Sequence, residues 1–258
     1  MLDFIDTHSH IYAEEFDTDR AEAVSRSFQA GVRRLILPDI DATSRQAMLS
    51  LADSAPEHFF PCAGLHPTSV SASYKDDLKE VEKMLASDRR FYAIGEIGID
   101  LYWDQTFERE QFDAFVTQVR WAKELNLPVI VHIRNAIEKT ISALEPLADS
   151  RLRGIFHCFS GTLEQARQAI DMGFMLGIGG VLTYKKSDLP DIVSQTDMSH
   201  LLLETDCPYL APVPYRGKRN ESGYIPLIAQ KMAEIKGIGI EAVAEQTTLN
   251  AERMFGLP

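Results

Sequence analysis

Seven histidines are spread along 258 residues, and two of them, His8 and His10, stand two apart in the segment IDTHSH. In an extended segment residues i and i+2 project to the same side. Both imidazoles therefore face one point and Ser9 faces away, which suits the coordination of one cation. Glu96 directly follows the apolar YAIG, where a carboxylate is costly to bury unless it is paired or metal-bound. His132 closes PVIVH, His157 closes RGIFH, and Asp206 follows HLLLET. Singly each has a plain alternative: a chance pair, a salt-bridge partner, a hydrogen-bonded core histidine. Together they supply what a binuclear site requires, namely imidazole and carboxylate donors, one bridging carboxylate, and open positions for water.

Glu204 and Asp206 share a strand face by the period of two, yet only one of them need touch metal. Asp206 stands at the very end of its run, which makes it the better ligand and the better general base for an attacking water. Glu204 is expected to orient a metal-binding histidine from behind.

These side chains need a scaffold that brings strand ends together. Short apolar runs at 3 to 6, 33 to 38, 59 to 64, 92 to 96, 128 to 132, 153 to 157, 174 to 179 and 200 to 205 alternate with amphipathic stretches. Their nearly continuous apolarity suits parallel strands covered on both faces. Between Phe107 and Asn126 the residues Phe112, Phe115, Val116, Val119 and Ala122 recur at helical spacing. Thr162 and Gln165 form a capping box ahead of ARQAIDM, and Gly173 can end that helix in the left-handed conformation. The repeating βα unit predicts an α/β fold, a (β/α)8 TIM barrel, in one domain spanning 1–258, with the last helices between Glu241 and Phe255. Barrel enzymes build their sites at the carboxyl ends of the strands. Here six of the eight ends carry a histidine or a carboxylate: THSH, GLHP, GEIGID, HIR, HCFSG and ETDCPYL. The glycine-rich GIGGVLTYKKSDLP reads as either a mobile active-site loop or a plain connection.

Composition bounds the function. Hydrophobic residues make up 45% and charged residues 25% of the chain, ample for a packed core. No apolar run approaches the roughly 20 residues that cross a bilayer, and the N-terminal segment lacks a basic region followed by an apolar one, so a cytoplasmic protein without membrane association is expected. Three cysteines without CxxC spacing indicate neither a disulfide framework nor a cysteine zinc knuckle. A net charge of -12 argues against broad electrostatic capture of nucleic acid, though divalent cations can bridge acidic side chains to phosphate.

The pieces IDTHSH, CAGLHP, IGEIGIDLYW, PVIVHIR, FHCFSG, LLLETDCPYLAP, PYRGKRNESGYIP and TTLNAERMFG run in order through nearly the whole chain. In them the sequence resembles the TatD family of metal-dependent deoxyribonucleases, within the amidohydrolase-like superfamily. The resemblance implies a TIM barrel that hydrolyses DNA phosphodiesters with two divalent metal cations, in some members as a 3'-to-5' exonuclease on single strands. It implies His8 and His10 as ligands of a first metal, Glu96 as the bridge, His132 and His157 as ligands of a second, and Asp206 completing the ligands of the first metal beside the catalytic water. His66, in GLHP, matches an active-site histidine that touches the scissile phosphate rather than the metal. Arg134, Arg216, Lys218 and Arg219 are the candidates for phosphate contacts. Two departures stand out: Cys207 replaces the more common serine, and NESGY replaces the more common NEP.

Magnesium suits the carboxylates and the phosphate, while four imidazoles also accept zinc, manganese or nickel. The expected substrate is DNA at free ends or in single strands, with Tyr102, Trp103 and Tyr209 available to stack on bases. A monomer with no obligatory protein partner is expected. Two rival readings are a hydrolase of a small phosphoester, lactone or cyclic amide on the same scaffold, and a non-enzymatic metal-dependent binding protein in a DNA-repair or cell-death assembly.

Overall fold

A computed structural model of the protein describes residues 2–258. Strand β1 (Phe4–Asp6) leads through helix α1 (Arg20–Gln29) to β2 (Val32–Leu37), α2 (Ala42–Ser54), β3 (Phe59–Pro61) and α3 (Tyr74–Leu85). The alternation continues with β4 (Ile94–Asp100), α4 (Glu108–Leu125), β5 (Val129–Arg134), α5 (Ile137–Leu144), β6 (Gly154–Phe156) and α6 (Leu163–Asp171). It ends with β7 (Phe174–Ile178), α7 (Leu189–Gln195), β8 (Leu201–Leu203), α8 (Ile225–Lys236) and α9 (Ile240–Phe255). All paired strands are parallel, in sequence order. A bridge between Ala63 and Ile94 joins the first three strands to the other five, and a bridge between Ser9 and Cys207 closes the ring. The result is the eight-stranded TIM barrel that the sequence predicts.

The period of two explains where the site sits. Ile5, Ile36, Phe60, Ile130, Ile155 and Leu202 form one buried cluster, onto which α9 packs Ala251, Met254 and Phe255. The alternate residues, among them Leu35, Val129, Val131, Phe156 and Leu201, belong to the larger cluster beneath the helices. Two residues beyond Ile130, Ile155 and Leu202 come His132, His157 and Glu204. The strand faces that build an apolar layer thus present polar side chains one step nearer the carboxyl ends.

Local signals hold where the chemistry is local. Asn126 ends α4 at φ 55, the Thr162 capping box opens α6, and Gly173 follows it at φ 92. The fourth strand differs from expectation: it starts at Ile94 and runs on to Asp100. Its pairing with β5 shifts between Ile94 and Ile97, a bulge that places Glu96 in an irregular stretch. Within 177–190 the chain forms a 3-10 turn at Gly180–Thr183 and then enters α7. Among the described residues no helix is long and apolar enough to cross a membrane.

Candidate metal centre

Glu96 lies at the middle of the barrel mouth, 2% exposed, and its two carboxylate oxygens face different groups of imidazoles. Oε2 is 3.1 Å from His8 Nε2 and 3.5 Å from His10 Nε2. Oε1 is 2.8 Å from His132 Nδ1, 3.1 Å from His157 Nε2 and 3.3 Å from His66 Nε2. Asp206 joins the first group, with Oδ1 3.7 Å from His8 Nε2 and 3.6 Å from His10 Nε2.

The donor set fits a cation. The Nε2 atoms of His8 and His10 are 3.0 Å apart, and both lie within 3.5 Å of Glu96 Oε2. Four donors tetrahedrally placed about 2.0–2.1 Å from an ion lie about 3.3–3.4 Å from one another, close to the spacing of His8, His10, Glu96 and Asp206. His8, His10 and Asp206 form one cluster whose ligand atoms could share an ion, and His66, Glu96 and His132 form another.

The hydrogen bonds behind the imidazoles sort their roles. The Tyr12 hydroxyl donates to the Pro38 carbonyl, so toward His10 Nδ1, 2.8 Å away, it can only accept. His10 is therefore protonated on Nδ1, and its Nε2 carries a free lone pair. His66 is arranged the other way. Its Nδ1 accepts from the backbone N–H of Thr68 at 3.1 Å and lies 2.6 Å from the Thr68 hydroxyl. Neutral His66 thus carries its proton on Nε2, as a donor rather than a ligand. His132 Nε2 faces Asp100 Oδ2 at 2.9 Å, which leaves Nδ1 for the centre. Glu204 stands behind the centre, with Oε1 3.4 Å from His157 Nδ1 and accepting from the Cys158 N–H. Among the described residues its other oxygen, like Nδ1 of His8, is buried without a hydrogen-bond partner. The His8 and His157 rings stack at 3.7 Å.

Charge follows from this packing. Burial would raise the Glu96 carboxyl, but His8, His157 and His66 outweigh it and hold the group well below the usual carboxylate range. Burial pushes His8 well down, and His157 beside it adds to the effect. His157 is driven well up, because Glu96 and Glu204 outweigh its own burial. Burial, relieved in part by His157 and His10, holds Asp206 at about 6. The backbone supports these placements at a cost: Asp206 has φ 56, Cys158 φ 45 and Asn135 φ 55, each a non-glycine residue in the left-handed region. Such strain tends to gather at functional sites.

The basic candidates are not equivalent. Arg219 is committed to Asp19 through two contacts of 2.7 Å and to the Glu15 carbonyl, with its guanidinium over the Phe16 ring. Arg216 lies over the Tyr184 ring, 4.5 Å from its centroid, and Lys218 lines an open depression with Tyr215 and Tyr224. Arg134 lies over Tyr102 and Trp103. Ser9 turns away from the centre, with its hydroxyl near Cys207 Sγ and Ser222 Oγ. The sequence reading passed over Asp100 and Tyr12. The alternation Glu96, Gly98, Asp100 carried a signal for the first, whereas nothing in the sequence marks the hydroxyl of Tyr12.

The chain is similar over nearly its whole length to known proteins. The chain is 36% identical over 251 residues to YabD of Bacillus subtilis, described as an uncharacterized metal-dependent hydrolase, covering 97% of this chain and 98% of that one. It is 33% identical over 254 residues to the 3'-5' ssDNA/RNA exonuclease TatD of Pantoea ananatis, covering 96% and 97%. The crystal structure of YJJV, a TatD homolog from Escherichia coli, superposes with a TM-score of 0.92 at 30% identity, covering 99% of this chain and 98% of that one. The family model of TatD related DNases matches residues 5–256, and the chain belongs to this family of metal-dependent hydrolases.

Proposed function

We propose that the protein is a binuclear phosphodiesterase that shortens single-stranded DNA from its 3' end. The observation that carries the binuclear reading is the Glu96 carboxylate, with one oxygen among His8 and His10 and the other among His132 and His157. The substrate reading is supported by the similarity to exonucleases of the family.

In this reading His8, His10 and Asp206 would hold one divalent cation and His132 and His157 a second, with the Glu96 carboxylate shared between the two groups. Magnesium suits the carboxylates and the substrate, with zinc, manganese or nickel acceptable to the imidazoles. Bound there, divalent cations would lower the pKa of water and offset the charge of the phosphoryl group. The rest falls to the chain. Asp206, at the end of β8 with Oδ1 beside His8 and His10, accepts the proton of the attacking water as the P–O3' bond breaks, and the departing 3' oxygen takes up a proton from solvent water. His66 donates a hydrogen bond from Nε2–H to a non-bridging phosphate oxygen, in the tautomer that Thr68 enforces. Arg134, Arg216 and Lys218 receive the neighbouring phosphates, while Arg219 holds the loop after β8 against Asp19.

The test is to offer metal-loaded protein end-labelled single-stranded DNA, duplex DNA and RNA, and to repeat the assay with Asp206→Asn. We expect stepwise loss of 3' nucleotides, fastest on single-stranded DNA, and near-background cleavage by the variant. Cleavage by Asp206→Asn at the wild-type rate, or no cleavage of any polynucleotide, would overturn the proposal.

A further inference from the structure

The segment after β4 carries two of the most exposed large aromatic side chains in the protein, Tyr102 at 53% and Trp103 at 68%. Leaving this much apolar ring in water has no structural gain, and their placement is not loose. The rings meet edge to face, with centroids 4.9 Å apart. The Arg134 guanidinium lies over both, 3.9 Å from the Tyr102 centroid and 5.0 Å from that of Trp103. Among the described residues no carboxylate pairs with Arg134, so its charge is available to a ligand.

The backbone beneath is tied to the metal centre. Asp100 Oδ1 accepts from the N–H groups of Tyr102 and Trp103 at 2.9 and 3.2 Å, while its Oδ2 holds His132. Gln111 fixes Asp100 in turn through both its N–H and its carbonyl, and Gln105 donates to the Leu101 carbonyl. The aromatic pair is thus held at one residue's remove from a ligand of the centre.

The geometry points to Tyr102, Trp103 and Arg134 as a subsite that stacks an unpaired nucleobase of the substrate strand while Arg134 meets the adjoining phosphate. This inference rests on the phosphodiesterase reading of the centre and deepens it. An exposed aromatic pair beside a guanidinium that no carboxylate pairs with among the described residues matches a base joined to an anionic backbone, and stacking of this kind needs the base out of a duplex. The subsite would favour single strands in a protein whose net charge of -12 argues against broad electrostatic capture of duplex DNA.

The protein has two tryptophans, so Trp121→Phe leaves Trp103 as the only indole. Metal-loaded Trp121→Phe protein is titrated with a phosphorothioate oligodeoxynucleotide, which resists cleavage, and with a strand of equal length whose 3'-terminal residues are abasic. We expect saturable quenching of Trp103 fluorescence by the first strand and not by the second. Cleavage of the ordinary strand by Trp103→Ala should fall about tenfold in kcat/KM, the loss expected of one stacked base, toward the value the wild type shows on the abasic strand. Equal quenching by both strands, quenching by an aromatic-rich peptide instead, or unchanged kcat/KM in Trp103→Ala would overturn the inference. Base-dependent quenching without cleavage of any strand would instead uphold the subsite and reject the phosphodiesterase reading.

Discussion

The backbone N–H of Thr68 donates to Nδ1 of His66 from 3.1 Å, so the neutral imidazole offers the centre a proton rather than a lone pair. Burial keeps His66 below its ordinary pKa and hence neutral near pH 7, despite the nearby Glu96. Distance alone would group His66 with Glu96 and His132 as a ligand. Its tautomer separates it from them.

His66→Ala is therefore expected to keep the wild-type metal content while turnover falls by about 10²–10³, the cost of one donor to developing charge. Metal analysis of the purified variant beside its cleavage rate checks this. Loss of one equivalent of metal would make His66 a ligand.

Tyr12 acts on His10 by accepting the Nδ1 proton, at 2.8 Å. Tyr12→Phe removes that acceptor and should weaken metal binding about 10–100-fold, as loss of a partner behind a ligand does. It also leaves the Pro38 carbonyl without its donor, at a cost of about 1–3 kcal/mol of stability. Competition with a calibrated chelator measures the first effect and urea unfolding the second.

How far these roles could be read from sequence depends on the range of the interaction. The ends of β5, β6 and β8 follow from alternation, because a strand's period carries His132, His157 and Glu204 to the same face as Ile130, Ile155 and Leu202. Glu96 is recognisable as a buried acid, but the bulge beside it and the continuation to Asp100 are not, since they depend on pairing with β5. Arg219 looks free in PYRGKRN and is not. Its partner Asp19 lies 200 residues away, and no local pattern brings the two together.

Asp6 ties β1 to the end of β8, accepting from the backbone N–H groups of His8 and Thr205 and from the Thr205 hydroxyl. Burial pushes its pKa from 3.8 up to about 7, against the pull of those donors. An acid with a raised folded pKa binds its proton more tightly when folded. Stability from this group is therefore fullest below about pH 4, falls as pH rises to about 7, and is level above. In metal-free protein the stability of Asp6→Asn relative to wild type should rise by up to about 4 kcal/mol between pH 4 and pH 7, on the scale of 1.36 kcal/mol per pKa unit. Urea unfolding at both pH values tests this, and a constant difference would refute it.

Gly177 leaves room for the carboxylate behind His157. A β-carbon there would come within 2.1 Å of Glu204 Oε2 and 2.6 Å of its carboxyl carbon. Gly177→Ala must displace Glu204, and we expect metal affinity to drop about tenfold or more with the barrel still folded. Circular dichroism and a metal titration on the same sample separate the two effects.

The most direct test of the account is the number of cations bound with and without the Glu96 carboxylate. Wild-type protein should bind two divalent cations per chain by equilibrium dialysis with metal analysis. Glu96→Ala should bind no more than one and cleave end-labelled single-stranded DNA only at background. Retention of two cations by Glu96→Ala, or cleavage at the wild-type rate, would contradict the bridge on which the mechanism rests.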